Sequence, residues 1–201
     1  MARLILLTGF SEEYAKRLLK GIALYSKESS TPWVLCKMPL SYRVLHGMKG
    51  VAEWAVKWGA DAIIGQFYPD DDISVFAENN IIAVAQDFKT RFNSIPNITG
   101  DHYLAGKMGA RYFISKGFRN FAFYGFEGVV WSTERCEGFR QELMRNNMAH
   151  NYFEYNNIEF KDLWYYESGP LINWLKSLPK PVAIMACDDN QGHHIAGRSK
   201  T

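Results

Sequence analysis

The stretch GADAIIGQFYPDDDISVFAENNIIAVAQDF, Gly59–Phe88, decides the fold. Two apolar runs, ADAIIGQF and IIAVAQDF, flank the short helical segment DISVFAENN. Neither run alternates apolar with polar residues. A strand written this way is buried on both faces, and a helical crossover between two such strands makes them parallel. The unit is strand, helix, strand, the building block of an α/β sheet covered by helices on both sides.

The same pattern extends in both directions. Towards the amino end, RLILLTG (3–9) is a strand and SEEYAKRLLKGIALYSKES (11–29) a helix. Ser11 is its expected N-cap, Glu12 and Glu13 suit its positive end, and Tyr14, Leu18, Ile22 and Tyr25 form its apolar stripe. WVLCKM is the next strand and GMKGVAEWAVKWG the next helix. Towards the carboxyl end a second series follows. GDHYLAGKMGARYFISKGF is a helix closed by Gly117 in a left-handed conformation with Phe118 beyond it, and NFAFYGF is a strand. TERCEGFRQELMRNN is a helix, FEYNNIEF a weak strand or loop, GPLINWLKSLP a helix closed by Pro179, and PVAIMACDD a strand. The joint at Pro96–Gly100 divides two series of like grammar, giving lobes 1–98 and 99–201.

Composition excludes several functions. Apolar residues make up 47% and charged residues 22% of the 201, an ordinary globular balance, and a formal net charge of +2 is too small for a polyanion binder. Cys36, Cys136 and Cys187 are odd in number and far apart, which fits a reducing compartment and neither a disulfide framework nor a zinc site. The opening MARLILLTGFSEEY reads as a buried strand, and no run is long enough to span a membrane. The sequence reads as soluble and cytoplasmic, without a membrane partner.

In an open parallel sheet, ligands meet the carboxyl ends of the strands. The residues there are Phe10, Ser11, Glu12 and Tyr14; Gln66, Phe67 and Tyr68; Gln86, Asp87 and Phe88; then Phe126, Trp131 and Arg135; then Cys187, Asp188 and Asp189, with Asp101 opening a helix at the joint. Aromatic faces, carboxylates, amides and one guanidinium suit a sugar, whose C–H faces stack on rings and whose hydroxyls both donate and accept. No GxGxxG or GxxxxGK[ST] phosphate loop occurs. Plainer readings stand beside these: Trp131 and Phe67 as core or rim, Asp188 and Asp101 as helix caps, and Arg135 as a solvated surface residue. Arg135 falls in the first turn of the helix expected at 133–147, where a cation opposes the positive helix end and needs an offsetting partner. His193 and His194, adjacent on a helix, point about 100° apart and cannot chelate one metal. There is no GxSxG or HExxH, and Asp188–Asp189 are neighbours rather than facing acids, so no enzyme, cofactor or metal is expected.

Taken in order, RLILLTGFSEEYAKRLLKGIALYSKE, GADAIIGQF, IIAVAQDF, NITGDHYLAGKMGARYFISKGFRNFAFYGF, WSTERCEGFRQEL and PVAIMACDDNQGHHI resemble the landmarks of the lactose/galactose-repressor effector domain. FAFYGF and the W…ER…GFRQE segment bring the resemblance closest to xylose-operon regulators, in which a periplasmic-binding-protein-like type I sugar sensor is joined to an AraC-type DNA-binding domain. It spans Arg3 to Ile195. It implies that Arg135 contacts sugar hydroxyls, that Asp188 accepts from them, that Asp101 opens the second lobe's first helix, and that the Phe10–Tyr14 loop closes over the ligand. Gly138 and Phe139 would be structural. Cys187 stands where the pattern has Asn.

The resemblance further implies D-xylose as ligand, a homodimer, and DNA contact only through a domain not present in this chain. Such domains continue beyond the point where this sequence ends, HHIAGRSKT. An incomplete second lobe with unpaired edges is therefore expected, and with it weak stability or self-association. A sugar solute-binding protein of a transport system and a sugar-processing enzyme remain as alternatives.

Overall fold

The computed structural model describes residues 1–9, 13–29, 32–86, 89–158 and 168–198. They divide into two units, Met1–Thr99 and Gly100–Thr201.

The first unit runs β1 (Ala2–Leu7), α1 (Glu13–Glu28), β2 (Trp33–Met38), α2 (Leu40–Trp58), β3 (Ala62–Gly65), α3 (Ser74–Glu78), β4 (Ile82–Gln86) and β5 (Asn97–Ile98). Its sheet has the order β2-β1-β3-β4-β5 with every pairing parallel. The continuous apolar strands have the physical meaning expected of them. Ile5 and Leu7 pack with Met48, Val51, Ala52 and Ala55 of α2 and Phe76 of α3, while Leu4 and Leu6 pack with Ile22 of α1. The buried stripe of α1 is Ala15, Leu18, Leu19 and Ile22. Tyr14 and Tyr25, expected on that stripe, are 42% and 61% exposed and flank it instead. The proposed cap Ser11–Glu12 and the strand end Asp87–Phe88 lie outside the described residues.

Helix α2 begins at Leu40, seven residues before the expected start, and Gly47 (φ 63°, ψ −178°) breaks it. The segment ahead of the break carries Arg43, whose buried guanidinium pairs with Asp71 at 3.2 Å, donates to the carbonyl of Gln66 and lies 4.1 Å over the Tyr68 ring. Asp71 also accepts from the Tyr68 N–H at 2.6 Å, so one ion pair fixes the loop leaving β3.

The second unit runs α4 (His102–Ser115), β6 (Asn120–Phe126), α5 (Val130–Arg145), a 3-10 turn at Ala149–Asn151, β7 (Tyr152–Ile158), α6 (Ser168–Ser177), β8 (Val182–Ala186) and α7 (Asp189–Arg198). Its parallel sheet has the order β7-β6-β8. Phe121 and Phe123 meet Phe139 of α5 on one face, and Tyr124 meets Tyr155 and Trp174 on the other. The expected stop of α4 is present. Gly117 has φ 83°, its N–H reaches the Ile114 carbonyl at 2.9 Å, and the Phe118 N–H reaches the Phe113 carbonyl at 3.3 Å. The Phe113 and Phe118 rings close the motif edge to face. No described helix is long and apolar enough to cross a membrane.

Candidate functional site

The site in the second unit is built by three chain ends: the amino end of α4, the first two turns of α5, and the carboxyl end of β8 as it enters α7. β6 stops at Phe126, Gly128 (φ 68°) reverses the chain, and α5 opens at Val130. The Ser132 hydroxyl accepts from the Phe126 N–H at 3.0 Å and the Thr133 hydroxyl donates to the Val129 carbonyl at 3.1 Å, holding the turn together. Val130–Ser132 are thus helical, and α5 begins three residues before the expected Thr133. Arg135 sits in the second turn rather than the first, beyond the strongest part of the helix-end potential.

Helices α4 and α5 cross backbone to backbone at two glycines. A Cβ on Gly106 would stand 2.0 Å from the Arg135 carbonyl oxygen, and one on Gly138 would stand 2.0 Å from that of Tyr103. This crossing brings His102, the first residue of α4, beside Arg135. The His102 ring is buried, and its Nδ1 accepts from Arg135 Nε at 3.2 Å with Nη2 at 3.1 Å. Arg135 Nη1 donates to the Cys187 carbonyl, and the guanidinium lies 5.1 Å from the Trp131 ring centroid. Trp131 is itself steadied edge to face by Phe126. Three groups therefore aim one cation.

Beside it, Asp188 caps α7. Its Oδ1 accepts from the Gln191 N–H at 2.7 Å, and its carbonyl accepts from the Gly192 N–H at 2.9 Å. Burial raises the Asp188 carboxyl above its ordinary range, while the Gln191 N–H and the charge of Arg135 pull it back. The Cys187 thiol is pushed up to about 12 by burial, with the charge of Asp188 adding to it. A cavity of about 590 Å³ opens here, lined by Ala105, Arg135, Met185, Cys187, Asp188, Asp189 and His193 among others. That size is ordinary for a small-molecule site.

Arg135 and Asp188 are brought together, as the sequence suggests, and Trp131 lies against Arg135. Asp101 is not among the cavity-lining residues: it is exposed and caps α4, accepting from the Leu104 N–H at 2.8 Å. Its neighbour His102, which the sequence reading passed over, meets Arg135 instead. The signal for it was the pair of helix glycines, since a close crossing at Gly106 and Gly138 dictates which first-turn residue faces Arg135. His193 lines the cavity while His194 turns away to the Tyr124 hydroxyl at 3.1 Å, the divergence expected of helix neighbours.

In the first unit, Phe67 is wholly enclosed against Phe76 and Phe92 and offers no stacking face, so its expected contact with a sugar gives way to a core role. Tyr14 is on the exposed side of α1, and Phe10 and Ser11 lie outside the described residues. The strand ends carry a different set. Gln66 Oε1 accepts from the Gly9 N–H at 3.2 Å, while the Thr8 hydroxyl and both amide atoms of Gln86 are buried without a hydrogen-bond partner among the described residues. Such groups cost roughly 1–3 kcal/mol each when left unmet, so this polar edge is unusual for a finished core. Among the described residues, no group of three or more His, Cys, Asp or Glu side chains is placed to hold a metal ion.

Comparison with known proteins gives a consistent picture. Residues 110–200 match the family model for a periplasmic binding protein-like domain. The chain is 24% identical over 200 residues to the xylose operon regulatory protein of Haemophilus influenzae, covering 96% of this chain and 50% of that one. It is 23% identical over 203 residues to the Escherichia coli K12 protein of the same name, covering 96% and 49%. Among solved structures, a xylose-binding transcription activator aligns with TM-score 0.71 at 23% identity, over 98% of this chain and 50% of that one. A LacI transcriptional regulator from a Rhodococcus species aligns with TM-score 0.75 at 14% identity, over 98% and 71%. The chain spans about half the length of the curated relatives it matches. These relatives are named as regulators of an operon or of transcription.

Proposed function

We propose that this chain, whose fold is of the periplasmic-binding-protein-like type with two parallel-sheet units, is the sugar-sensing part of a transcription regulator, with D-xylose as its ligand. One observation carries the reading. Arg135 is held by His102, the Cys187 carbonyl and Trp131 at the wall of the same cavity as Asp188. A guanidinium that donates and a carboxylate that accepts, side by side, match the vicinal hydroxyls of an uncharged pentose, and the Trp131 face suits its C–H surface. The carboxylate beside the cation offsets charge that a phosphate ligand would need left open. The same reading gives Gln66, Gln86 and Thr8 hydroxyl-binding roles on their own unit.

The ligand acts by favouring the conformation it binds more tightly, which is the only way binding shifts such an equilibrium. That conformation governs DNA binding by elements outside these 201 residues, in a cytoplasmic homodimer. Similarity to xylose operon regulators across 96% of the chain supports the assignment.

Calorimetric titration with a panel of pentoses and hexoses tests it, on this chain and on Arg135→Ala. Saturable binding of D-xylose that the substitution weakens by at least about tenfold is expected, the worth of a hydrogen bond to a charged group. A folded chain that ignores every sugar in the panel would refute the proposal.

A further inference from the structure

We infer that His102 is the positioning residue of the site: a neutral imidazole whose Nδ1 lone pair fixes the rotation of the Arg135 guanidinium, and so decides which of its N–H groups a ligand meets. The inference rests on the sugar-binding reading for its consequence, though not for its geometry.

A guanidinium carries five N–H donors and no acceptor. The Nε and Nη2 edge of Arg135 is turned onto one atom, His102 Nδ1, at 3.2 and 3.1 Å, and Nη1 donates to the Cys187 carbonyl. Because Arg135 can only donate, Nδ1 must be unprotonated, and the ring proton sits on Nε2. Three of the five donors are then committed, and at most two N–H groups remain for ligand oxygens. They lie at the end of the guanidinium away from His102. A bidentate grip through the Nε edge is closed off, leaving a contact through the terminal nitrogens.

The imidazole is itself fixed. It is 7% exposed, it stands at the first position of α4, and the Gly106 crossing holds that helix end against Arg135. Without the Nδ1 acceptor, the Cys187 carbonyl and the Trp131 face still hold the cation near the cavity. Neither sets its rotation, since one is a single hydrogen bond and the other a stacking contact with no preferred direction in the ring plane.

The test compares the 201-residue chain with His102→Leu, which keeps an apolar side chain in a buried place, and His102→Asn, whose amide oxygen reaches the position of Nδ1. The first readout needs no ligand: the Nε–Hε cross-peak of Arg135 in a nitrogen-15 spectrum, assigned by its loss in Arg135→Lys. The wild-type peak should be resolved and slow to exchange, shifted and broadened in His102→Leu, and restored in His102→Asn. The second is calorimetric titration with D-xylose, where affinity should fall about tenfold to a hundredfold in His102→Leu and recover to within about threefold of wild type in His102→Asn. Thermal melting confirms that each variant is folded.

An Arg135 peak unchanged in a folded His102→Leu overturns the inference, as does failure of His102→Asn to restore it. Should the wild-type chain bind no sugar while the peak behaves as stated, the sugar reading fails and the positioning role stands.

Discussion

The α4–α5 crossing predicts the sign as well as the size of a single methyl's effect. Gly138→Ala places a Cβ 2.0 Å from the Tyr103 carbonyl oxygen and 2.8 Å from its carbon, atoms of a helix backbone that cannot rotate aside. Restoring an ordinary contact requires the helices to part by about 1.4 Å, and a gap of even 0.5–1 Å forfeits roughly a quarter to a half of each dispersion contact across the interface. The rings of Phe113 and Phe139, 6.2 Å apart between these helices, would lose that contact. Against this stands the gain of about 1 kcal/mol that alanine brings to a helix interior. The net loss should be about 3 kcal/mol, or a fall of roughly 12–24 °C in the Tm of the second unit. Gly21→Ala in α1 is the control: nothing lies within 4 Å of the added methyl, so only the propensity gain remains and the Tm should rise slightly. Thermal melts of the two variants followed by circular dichroism decide the matter. A Gly138→Ala protein that melts at or above wild type would refute the crossing as described, and with it the reason His102 and Arg135 are neighbours.

Three further outcomes are expected. Asp188→Asn should keep or raise stability at neutral pH, since asparagine caps a helix as well as aspartate and burial already disfavours the charge; it should nonetheless weaken D-xylose binding, read by calorimetry on the same samples. The Glu142 carboxyl, held below its ordinary range by hydrogen bonds from Arg111, contributes stability above about pH 4 that is lost as pH falls through its lower folded value. Glu142→Gln should therefore flatten the acid limb of the stability profile, and an unchanged limb would remove the pair from that account. Burial pushes Cys136 up to about 11 and Cys187 up to about 12, so both thiols should resist a disulfide reagent at pH 8 until the chain unfolds, and rapid reaction of either in the native chain would contradict their enclosure.

What the sequence revealed was the part that repeats. Continuous apolar strands at 3–7, 62–65, 82–86 and 120–126 announce parallel sheets because burial on both faces leaves no polar position to interrupt them. The stop of α4 was legible for the same local reason, a glycine followed by an aromatic. The misses share a cause as well. Helix α5 opens at Val130, three residues before the expected Thr133, because the left-handed Gly128 and the Ser132 hydroxyl close the turn ahead of it. Leu40–His46 lacks a stripe because its anchor is a buried ion pair, Arg43 with Asp71, a cation doing the work of an apolar residue. FEYNNIEF reads weakly as a strand, yet β7 is held to β6 along much of its length. Phe67 was credited with a ligand because it follows a strand, when three-dimensional packing closes over it. His102 was passed over because its meaning comes from a helix crossing, which the chain marks only by Gly106 and Gly138 and not by any spacing to His102 itself.

Arg135 is moored to the peptide oxygen of position 187, and every amino acid supplies that oxygen. The requirement there falls on the path of the chain where β8 ends, while the side chain it carries is left open to change. In the proposed site, a change of side chain at position 187 can therefore alter the cavity wall without moving the cation beside it.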